Sequence, residues 1–360
     1  MKLRMVLLSL LWMTSCMDMD DPDWWTNRPD AVAVEGSGHT RRLTGQNCTV
    51  SQANPPADSL RLHFIDVAQG DAIWVQTPTG ENILIDAGDG TYGRTNGGAY
   101  VVSYLSERGF QGAFDALFIT HPHSDHYGGV DTVVASYPVN AVVDPGLDAT
   151  TQSYGELITD LRSRVPSDRF YRPAVGPNGL VARLGDRLPA DIFGNSVEAW
   201  MLNSSSSNRF GNVNNVSIVL KLRFAGRSVL LTGDIEQDIE QELGNIYGIT
   251  EPYLDTHILK VSHHGSSTAS TSGFLQLMFK NTLPEKPIAI ISSGRRPFGD
   301  ETILPTSETV YRFQQLLGPE YLYSTESGDE GKAEEDAAGD DDIIAVIMPT
   351  GAFYACYVDP

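Results

Sequence analysis

A short segment of the chain holds the residue types that most often bind metal ions. Residues 121–126 have the sequence HPHSDH, so three imidazoles and one carboxylate lie within a few positions. Imidazoles two positions apart in a tight loop can converge on one cation, and a carboxylate and a third imidazole directly after them can hold a neighbouring cation. We therefore expect His121, His123, Asp125 and His126 to be metal ligands.

The sequence around this segment predicts the elements that position it. Apolar residues at 116–119 indicate a buried strand that delivers the chain to His121, and a helix is predicted over 128–136. Apolar runs predict further strands at 60–65, 72–76, 82–85, 141–143, 216–222, 228–231, 257–261, 288–291, 343–348 and 353–358. Helical patterns lie at 101–108, 237–247 and 307–317. Because strands and helices alternate, we expect an α+β protein of layered sheets and helices.

The N-terminus has the pattern of an export signal. A basic start and an apolar run at 5–13 precede Thr14, Ser15 and Cys16. That run is shorter than the about 20 residues that span a bilayer, and small residues before a cysteine resemble a bacterial lipobox. We expect residues 1–16 to be a signal peptide whose Cys16 carries a lipid, which would anchor the protein to a membrane outside the cytoplasm. Plain secretion is the alternative, since Met13 is unusual in a lipobox.

Composition divides the remainder into a tether and one large domain. Residues 17–58 are rich in Asp, Pro, Ser, Asn and Thr and predict a flexible tether. We expect a single domain over 59–360, with an acidic insertion at 326–342 that is solvated and mobile. The net charge of −21 argues against an extended basic surface for duplex DNA. A nuclease is still compatible with this charge, because a metal can supply local positive charge.

Two cysteines remain if Cys16 carries a lipid. Cys48 and Cys356 lie near the two ends of the mature chain, and an oxidising compartment would allow a disulfide between them. The sequence does not give their separation in space, so a bridge and two separate thiols both stay open.

The HPHSDH segment and its neighbours resemble a known family. The pattern H-x-H-x-D-H is the signature of the metallo-β-lactamase superfamily, and five further phrases are similar to the hydrolase domain of the ComEC competence-protein family. These phrases are FIDVAQGD at 64–71, ILIDAG at 83–88, NNVSIVL at 214–220, LLTGDI at 230–235 and KVSHHGS at 260–266. The resemblance covers residues 60–358 and does not extend to the ComEC membrane channel. It implies the αββα four-layer sandwich, in which two mixed β-sheets are flanked by helices.

The resemblance also implies roles for residues outside the HPHSDH segment. Asp234 becomes a carboxylate that bridges two metal positions, and it shares with Asp125 the task of holding the attacking water. His263 and His264 are adjacent, and such a pair points its rings apart, so only one of them completes the second metal position. We assign this ligand to His263. Supporting or substrate-binding roles fall to Asp86, Asp66, Asp71, Asn215, Ser217, Lys260, His264 and Ser266.

Two departures from related sequences limit what the resemblance implies. Binuclear β-lactamases have a third histidine before the bridging aspartate, but no histidine occurs here between Tyr127 and Thr256. An oxygen donor or water must complete the first position, and such coordination would accept Mn²⁺ as well as Zn²⁺. ComEC-like domains also have His-Pro where this chain has Leu304-Pro305.

These observations predict a metal-dependent hydrolase with one or two Zn²⁺ or Mn²⁺ ions. By resemblance, its substrate is a phosphodiester in single-stranded nucleic acid or a nucleotide, cleaved outside the cytoplasm. One alternative is an ester or lactone hydrolase of the same fold, which would use the same metals. Another is a non-catalytic surface lipoprotein that the metal only stabilises.

Overall fold

The computed structural model describes most of the chain. The described residues are 45–89, 96–148, 151–173, 185, 187–250, 253–280, 285–296, 302–326 and 341–358. The predicted signal peptide, residues 17–44 of the predicted tether and residues 327–340 of the predicted acidic insertion lie outside them.

Most of the strands follow the sequence patterns. In chain order the strands are β1 (Leu60–Phe64), β2 (Ile73–Gln76), β3 (Asn82–Ile85), β4 (Ala116–Phe118), β5 (Val142–Val143), β6 (Phe170–Tyr171), β7 (Glu198–Asn203), β8 (Val219–Phe224), β9 (Arg227–Leu231), β10 (Ile258–Lys260), β11 (Ile288–Ile291), β12 (Leu322–Ser324), β13 (Ile343–Ile347) and β14 (Phe353–Tyr357). Strands β6, β7 and β12 were not predicted. The helices are α1 (Val50–Ala53), α2 (Gly97–Glu107), α3 (Ser124–Tyr127), α4 (Val130–Ser136), α5 (Gln152–Arg164), α6 (Ala190–Phe193), α7 (Gln237–Tyr247), α8 (Ser272–Phe279) and α9 (Ser307–Leu317).

Within the described residues the strands form two mixed sheets. The larger has the order β14-β13-β1-β2-β3-β4-β5-β6, and the smaller has the order β12-β11-β10-β9-β8-β7. Strands β3 to β6 run parallel to one another, as do β9 to β12, whereas the other neighbouring pairs are antiparallel.

Three apolar clusters hold the layers together. One cluster lies between the sheets and joins Leu62 and Phe64 of β1 to Leu220 and Leu222 of β8. A second packs the outer face of the larger sheet against α2, α4 and α5, and a third packs the outer face of the smaller sheet against α7, α8 and α9. Each sheet therefore buries both faces, and the order of layers is helix, sheet, sheet, helix. The expected α+β sandwich of two mixed sheets flanked by helices is confirmed.

Parallel strands bring the ends of several elements to one edge. Ile85 of β3 pairs with Phe118 of β4, and Leu259 of β10 pairs with Leu230 of β9. The segments that follow these four strands therefore leave their sheets at the same edges. Asp86, His121, Asp234 and His264 all lie in those segments, which is where open sheets of this kind commonly place their functional groups.

The described end of the predicted tether is attached to the larger sheet. Asn47 pairs with Tyr357 of β14, and the Cys48 amide donates to the Tyr357 carbonyl over 2.8 Å. A disulfide joins Cys48 to Cys356, with a Cα–Cα distance of 4.9 Å. Strand pairing and a covalent bridge therefore attach Asn47 and Cys48, at the described end of the predicted tether, to the last strand.

The described ends of the acidic insertion are buried, contrary to the solvated surface that we expected. Glu326, Asp341 and Asp342 have exposed fractions of 1%, 4% and 4%. Asp342 accepts hydrogen bonds from the Asp66 amide and the Tyr100 hydroxyl, both over 2.8 Å. Asp342 is accommodated in the core because these hydrogen bonds satisfy its carboxylate there.

None of the helices within the described ranges is long and apolar enough to cross a membrane.

Candidate metal centre

Four elements deliver the polar cluster at the shared edge of the sheets. The segment after β4 carries His121 and His123, and the short helix α3 carries Asp125 and His126. A left-handed glycine turn after β9 presents Asp234, since Gly233 has a φ of +52° and a side chain there would contact Ser217. His264 follows β10 in a turn where both it and its neighbour have positive φ values.

Two imidazoles and a carboxylate define the first candidate position. His121 Nε2 lies 3.0 Å from His123 Nδ1 and 3.8 Å from Asp234 Oδ2. His121 is fully buried, whereas His123 is partly exposed.

Two further imidazoles surround the second candidate position. His126 Nε2 lies 3.2 Å from His264 Nε2, and these nitrogens lie 3.3 and 3.2 Å from Asp234 Oδ2. His264 Nε2 also lies 3.4 Å from Asp125 Oδ2. Among the described residues, three sets of donor atoms lie close enough together to hold an ion. Two of them face the centre, namely His121 with His126 and Asp234, and Asp125 with His126 and His264, while the third joins His126 to Asp71 and Asp86.

The outer bonds of the histidines determine which nitrogens face the centre. Nδ1 of His126 lies 2.8 Å from Asp86 Oδ2, and Nδ1 of His264 lies 2.8 Å from the Ser292 carbonyl oxygen. Both oxygens can only accept, so in a neutral ring the hydrogen is on Nδ1 and the Nε2 lone pair points inward. Carboxylate oxygens also face the same space, and a group of acceptors at such distances needs a cation between them.

Thr120 orients the His121 ring in the same way, with Nδ1 bonded outward and Nε2 toward the centre. Its hydroxyl donates to Asp86 Oδ2 over 2.6 Å, so the hydroxyl oxygen is left to accept from His121 Nδ1 at 3.1 Å. The Thr120 amide also donates to Asp86 Oδ1 over 2.8 Å. Asp86, which is fully buried, thus fixes the rings of two candidate ligands at once.

The electrostatics of the cluster favour positive charge. Burial alone would lower the pKa of His264, but the carboxylates of Asp234 and Asp125 outweigh burial and raise this pKa to about 9. Burial also opposes ionisation of Asp234, yet His264, His126 and Lys260 hold its pKa well below the usual range. A proton on an imidazole thus takes the place that a metal cation would occupy, and the donor set fits a divalent ion.

The two adjacent histidines lie in different surroundings, and the structure exchanges the roles that we expected. His264 is buried in the cluster, whereas His263 points away with its Nδ1 3.2 Å from Glu236 Oε1 and its Nε2 3.3 Å from Asn214 Nδ2. The left-handed backbone of both residues, with φ values of +48° and +52°, turns the rings apart. The geometry therefore brings His264, not His263, to the candidate centre.

Of the two roles expected for Lys260, supporting or substrate-binding, its buried position fits the supporting one. Its side chain is fully buried, and its ammonium lies 2.6 Å from Asp71 Oδ2 and 3.5 Å from Asp234 Oδ1. It also donates to the Gly233 carbonyl over 3.1 Å. Lys260 therefore holds the outer oxygen of Asp234, so that Oδ2 is the oxygen that faces the histidines.

Among the other predicted residues, those near Asp234 organise backbone. The Ser217 hydroxyl accepts from the Asp234 amide over 3.0 Å, and Asn215 Oδ1 accepts from the Glu236 amide over 2.9 Å. Asp66 supports its own loop by accepting from the Ala68 amide over 2.9 Å.

The described contacts of two further positions lie outside the histidine cluster. Ser266 bonds locally to Thr268, with its hydroxyl 3.0 Å from Thr268 Oγ1. The Leu304 carbonyl accepts from the Ser293 hydroxyl over 2.6 Å, so Leu304, which replaces the expected histidine, packs as a buried residue beside the His264 loop.

Sequence reasoning missed Thr120 and the Ser292 carbonyl. Thr120 could have been found, because it is the polar residue that separates an apolar strand from His121. The Ser292 carbonyl gives no signal in the sequence, since any residue at that position would supply the same oxygen.

Comparison with known proteins agrees with this geometry. The model of the metallo-beta-lactamase superfamily matches residues 65–282. ComE operon protein 3 of Bacillus subtilis is 27% identical over 247 residues, which is 65% of this chain and 28% of that protein. The uncharacterized protein YcaI of Escherichia coli K12 is 26% identical over 275 residues, which is 76% of this chain and 30% of that protein. The chain thus spans less than a third of each of these relatives.

The chain also has a match among solved structures. The metallo-beta-lactamase fold protein YhfI from Bacillus subtilis superposes with a TM-score of 0.35 and 13% identity, over 57% of this chain and 70% of that chain. The family model covers more than half of the sequence, and it includes the HPHSDH segment, Asp234 and His264. The chain therefore belongs to the metallo-β-lactamase superfamily and has the fold and the candidate metal-binding cluster of a metal-dependent hydrolase.

Proposed function

We propose that this protein is a metal-dependent phosphodiesterase that cleaves single-stranded nucleic acid or nucleotides outside the cytoplasm. The observation that supports the proposal is the convergence of imidazole lone pairs and carboxylate oxygens described above. In particular, His126 Nε2 and His264 Nε2 face each other at 3.2 Å beside Asp234 Oδ2, while their outer nitrogens are bonded to acceptors.

We assign the metal-binding roles from this geometry. His121, His123 and Asp234 would hold the first ion, and Asp125, His126, His264 and Asp234 would hold the second. Zn²⁺ and Mn²⁺ both suit a set of imidazole and carboxylate donors. The first position has fewer donors of its own, because the further histidine beside it, His126, also faces the second position.

The bound ions would lower the pKa of a water molecule at the centre toward about 7 and polarise the phosphodiester. Asp125 is the more accessible carboxylate, with a side chain 16% exposed against 3% for Asp234. Asp125 therefore orients the water on the solvent side as a hydrogen-bond acceptor. Asp234 keeps its Oδ2 on the buried side, where Lys260 fixes its other oxygen.

The choice of a phosphodiester rests on the sequence phrases shared with ComEC-type hydrolase domains and on the match to ComE operon protein 3. The proposed place of action rests on the N-terminal export pattern and on the Cys48–Cys356 disulfide, since disulfides persist in oxidising compartments. We propose that a lipid on Cys16 attaches the protein to a membrane there.

Turnover of three substrates by the purified full chain tests this function. The substrates are single-stranded DNA, bis-p-nitrophenyl phosphate and an aryl ester, each assayed with Mn²⁺ and with Zn²⁺. We expect cleavage of the first two and its loss in His126→Ala and Asp125→Ala. Val50→Ala serves as the control, because Val50 is 84% exposed on α1 and has no contact with the centre.

Each other result points to a different conclusion. Turnover of the ester alone would identify an ester or lactone hydrolase. Metal binding without turnover of any substrate would indicate a metal-stabilised surface protein. Undiminished phosphodiester cleavage by both His126→Ala and Asp125→Ala would show that the reaction occurs elsewhere.

A further inference from the structure

The loop between β7 and β8 carries one exposed aromatic residue in an unfavourable backbone conformation. Phe210 has a φ of +53° and a side chain that is 58% exposed. Gly211 follows with a φ of +73°, and the Asn212 amide donates to the Arg209 carbonyl over 3.0 Å. These values belong to a mirror-image β-turn, in which glycine and asparagine are favoured at both central positions.

A phenylalanine is costly at this position for two reasons. A left-handed backbone is strained for a bulky side chain, and the exposed ring gains nothing from the core. Phe210 is also the only apolar side chain of residues 204–212, which otherwise contain Ser, Asn, Arg and Gly. Because neither the backbone conformation nor burial explains a phenylalanine here, we looked for a function of Phe210.

The turn is held firmly from its Arg209 side. Arg209 Nη1 donates to Asn203 Oδ1 over 3.1 Å, and Arg209 Nη2 donates to Glu242 of α7. The guanidinium carbon lies 5.5 Å from the centre of the Phe210 ring. Asn203 Nδ2 in turn donates over 2.7 Å to the carbonyl of Ser217, the residue whose hydroxyl accepts from the Asp234 amide.

The other side of the turn leads directly to the rim of the centre. Asn212 Oδ1 accepts from the Asn214 amide over 2.9 Å, and Asn214 Nδ2 lies 3.3 Å from His263 Nε2. Phe210 is four residues from Asn214, a span of at most about 14 Å along the chain. Both ends of the loop are therefore held beside the centre, and Phe210 lies within about 14 Å of Asn214, the residue that contacts the partly exposed His263.

We propose that Phe210 is a stacking platform for a nucleobase of the substrate, next to the phosphodiester held at the metal centre. An aromatic ring binds the face of any base, and it discriminates little among sequences. Arg209, which is paired with Glu242, packs beside the ring and restricts its position. This subsite rests on the proposed function and defines its substrate as one that contains bases.

Binding of a labelled oligonucleotide measures the subsite separately from catalysis. The full chain, in an Asp125→Asn background that prevents cleavage, is titrated with Mn²⁺ and a short fluorescein-labelled oligothymidylate, and fluorescence anisotropy is recorded. We expect Phe210→Ala to weaken binding by about 5- to 100-fold, the range for loss of one base–aromatic stack. Phe210→Trp should bind at least as well as the parent, and Val50→Ala should be unchanged.

Two comparisons separate stacking from a general apolar contact. Phe210→Leu keeps an apolar side chain without an aromatic face, and we expect it to bind as weakly as Phe210→Ala. An abasic oligonucleotide of the same length retains the phosphates, so the parent and Phe210→Ala should bind it equally. Equal binding of oligothymidylate by the parent, Phe210→Ala and Phe210→Leu would overturn the subsite.

A third comparison uses the strain at Phe210. Phe210→Asn places a residue favoured in this turn, so we expect a higher melting temperature together with weaker oligonucleotide binding. A purely structural phenylalanine would show the reverse, namely a lower melting temperature with unchanged binding.

Failure of the subsite and failure of the proposed function give different results. In the otherwise wild-type chain, Phe210→Ala should raise KM for the oligonucleotide and should still hydrolyse bis-p-nitrophenyl phosphate. No hydrolysis of either substrate by the wild type would reject the proposed function. Hydrolysis of both with an unchanged oligonucleotide KM in Phe210→Ala would reject only the subsite.

Discussion

The hydrogen bonds made by the outer nitrogens of His126 and His264 determine which nitrogens of these rings can bind a metal ion. His126 and His264 each have one nitrogen bound to an oxygen that can only accept, so when the ring is neutral its other nitrogen is left as an inward-facing acceptor. Lys260 has the corresponding effect on Asp234, because it binds the oxygen that faces away from the histidines. At this scale the centre is a set of acceptors arranged around a place for a cation.

The adjacent histidines allow a matched test of the ligand assignment. We expect His264→Ala to abolish binding at the second position, because it removes an imidazole whose Nε2 lies 3.2 Å from Asp234 Oδ2. His263→Ala should keep the metal stoichiometry of the wild type, since its ring bonds to Glu236 and Asn214 instead. Isothermal titration with Zn²⁺ or Mn²⁺ measures both variants. Loss of an ion in His263→Ala alone would reverse the assignment.

Two fully buried lysines allow a similar comparison of charge. Lys260→Met leaves Asp71 and Asp234 without their ammonium partner, so we expect the metal-free protein to lose about 3–5 kcal/mol of stability. Added metal should recover part of that loss, because a cation neutralises the same carboxylates.

Lys221→Met is the control for the lysine comparison. Its ammonium bonds to the backbone carbonyls of Tyr253 and Asp255, away from the centre. Denaturant unfolding with and without Mn²⁺ should show a larger metal-dependent recovery for Lys260→Met than for Lys221→Met. Equal recovery would mean that Lys260 does not balance the charge of the centre.

At the scale of elements, parallel strands bring separate segments of the chain to one edge. Asp86 follows β3 and His121 follows β4, while Asp234 follows β9 and His264 follows β10. The sequence predicted most of these strands, and its bounds for 82–85, 237–247, 288–291 and 307–317 agree with the structure. Such agreement arises where apolar periodicity is strong and polar residues mark the ends of an element.

Other elements could not be predicted, or were predicted with wrong bounds, for identifiable reasons. Helix α5 was missed although Tyr154, Leu157 and Leu161 form a buried stripe, because polar residues dominate the segment. The strand predicted over 216–222 begins only at Val219. Its first residues form a turn instead, because Ser217 is needed to hold the Asp234 amide.

Within the site, the HPHSDH segment could be identified from its composition, but the choice between His263 and His264 could not. That choice depends on two left-handed backbone angles, which residue types other than glycine seldom reveal. The burial of Lys260 was also not predictable, since its partners Asp71 and Asp234 are distant in the sequence.

A buried histidine between β1, β2 and α2 predicts a pH dependence of stability. Burial, with a further contribution from Arg108 and Arg61, lowers the pKa of His63 to about 3 in the folded protein. The unfolded chain has the ordinary value near 6.5. It therefore binds a proton that the folded protein does not bind between these two pH values, and His63 destabilises the fold as pH falls through that window.

We expect His63→Gln to reduce the slope of stability against pH between 4 and 6. The reduction should be at most about 1.4 kcal/mol per pH unit, the value for one proton. Glutamine can keep a hydrogen bond to the Tyr104 hydroxyl, which lies 2.8 Å from His63 Nδ1. Denaturant unfolding at several pH values measures the slope, and an unchanged slope would mean that His63 titrates normally in the folded protein.

At the scale of the whole molecule, the two ends of the domain are joined covalently. The Cys48–Cys356 disulfide links residues 308 positions apart and fixes the N-terminal segment to the last strand. A bridge that closes so long a loop restricts the unfolded chain strongly. The edge strand β14 of the larger sheet is therefore held to the N-terminal segment by a covalent bond as well as by strand pairing.

Reduction of this disulfide should lower the free energy of unfolding by about 2–5 kcal/mol. We expect dithiothreitol to lower the melting temperature of the wild type but to leave a Cys48→Ala, Cys356→Ala double variant unaffected. The oxidised wild type should also unfold at higher denaturant concentration than the double variant. Identical transitions for the two proteins would show that the bridge does not contribute to stability.

The central claim is that the buried histidine cluster binds the divalent ions on which hydrolysis depends. Metal analysis tests it most directly, after the purified full chain has been equilibrated with Zn²⁺ or Mn²⁺ and freed of unbound ions. We predict one or two ions per chain in the wild type, and fewer in His126→Ala, because His126 faces both candidate positions. A folded wild-type protein that retains no ion, or a His126→Ala variant that retains as many as the wild type, would contradict the claim.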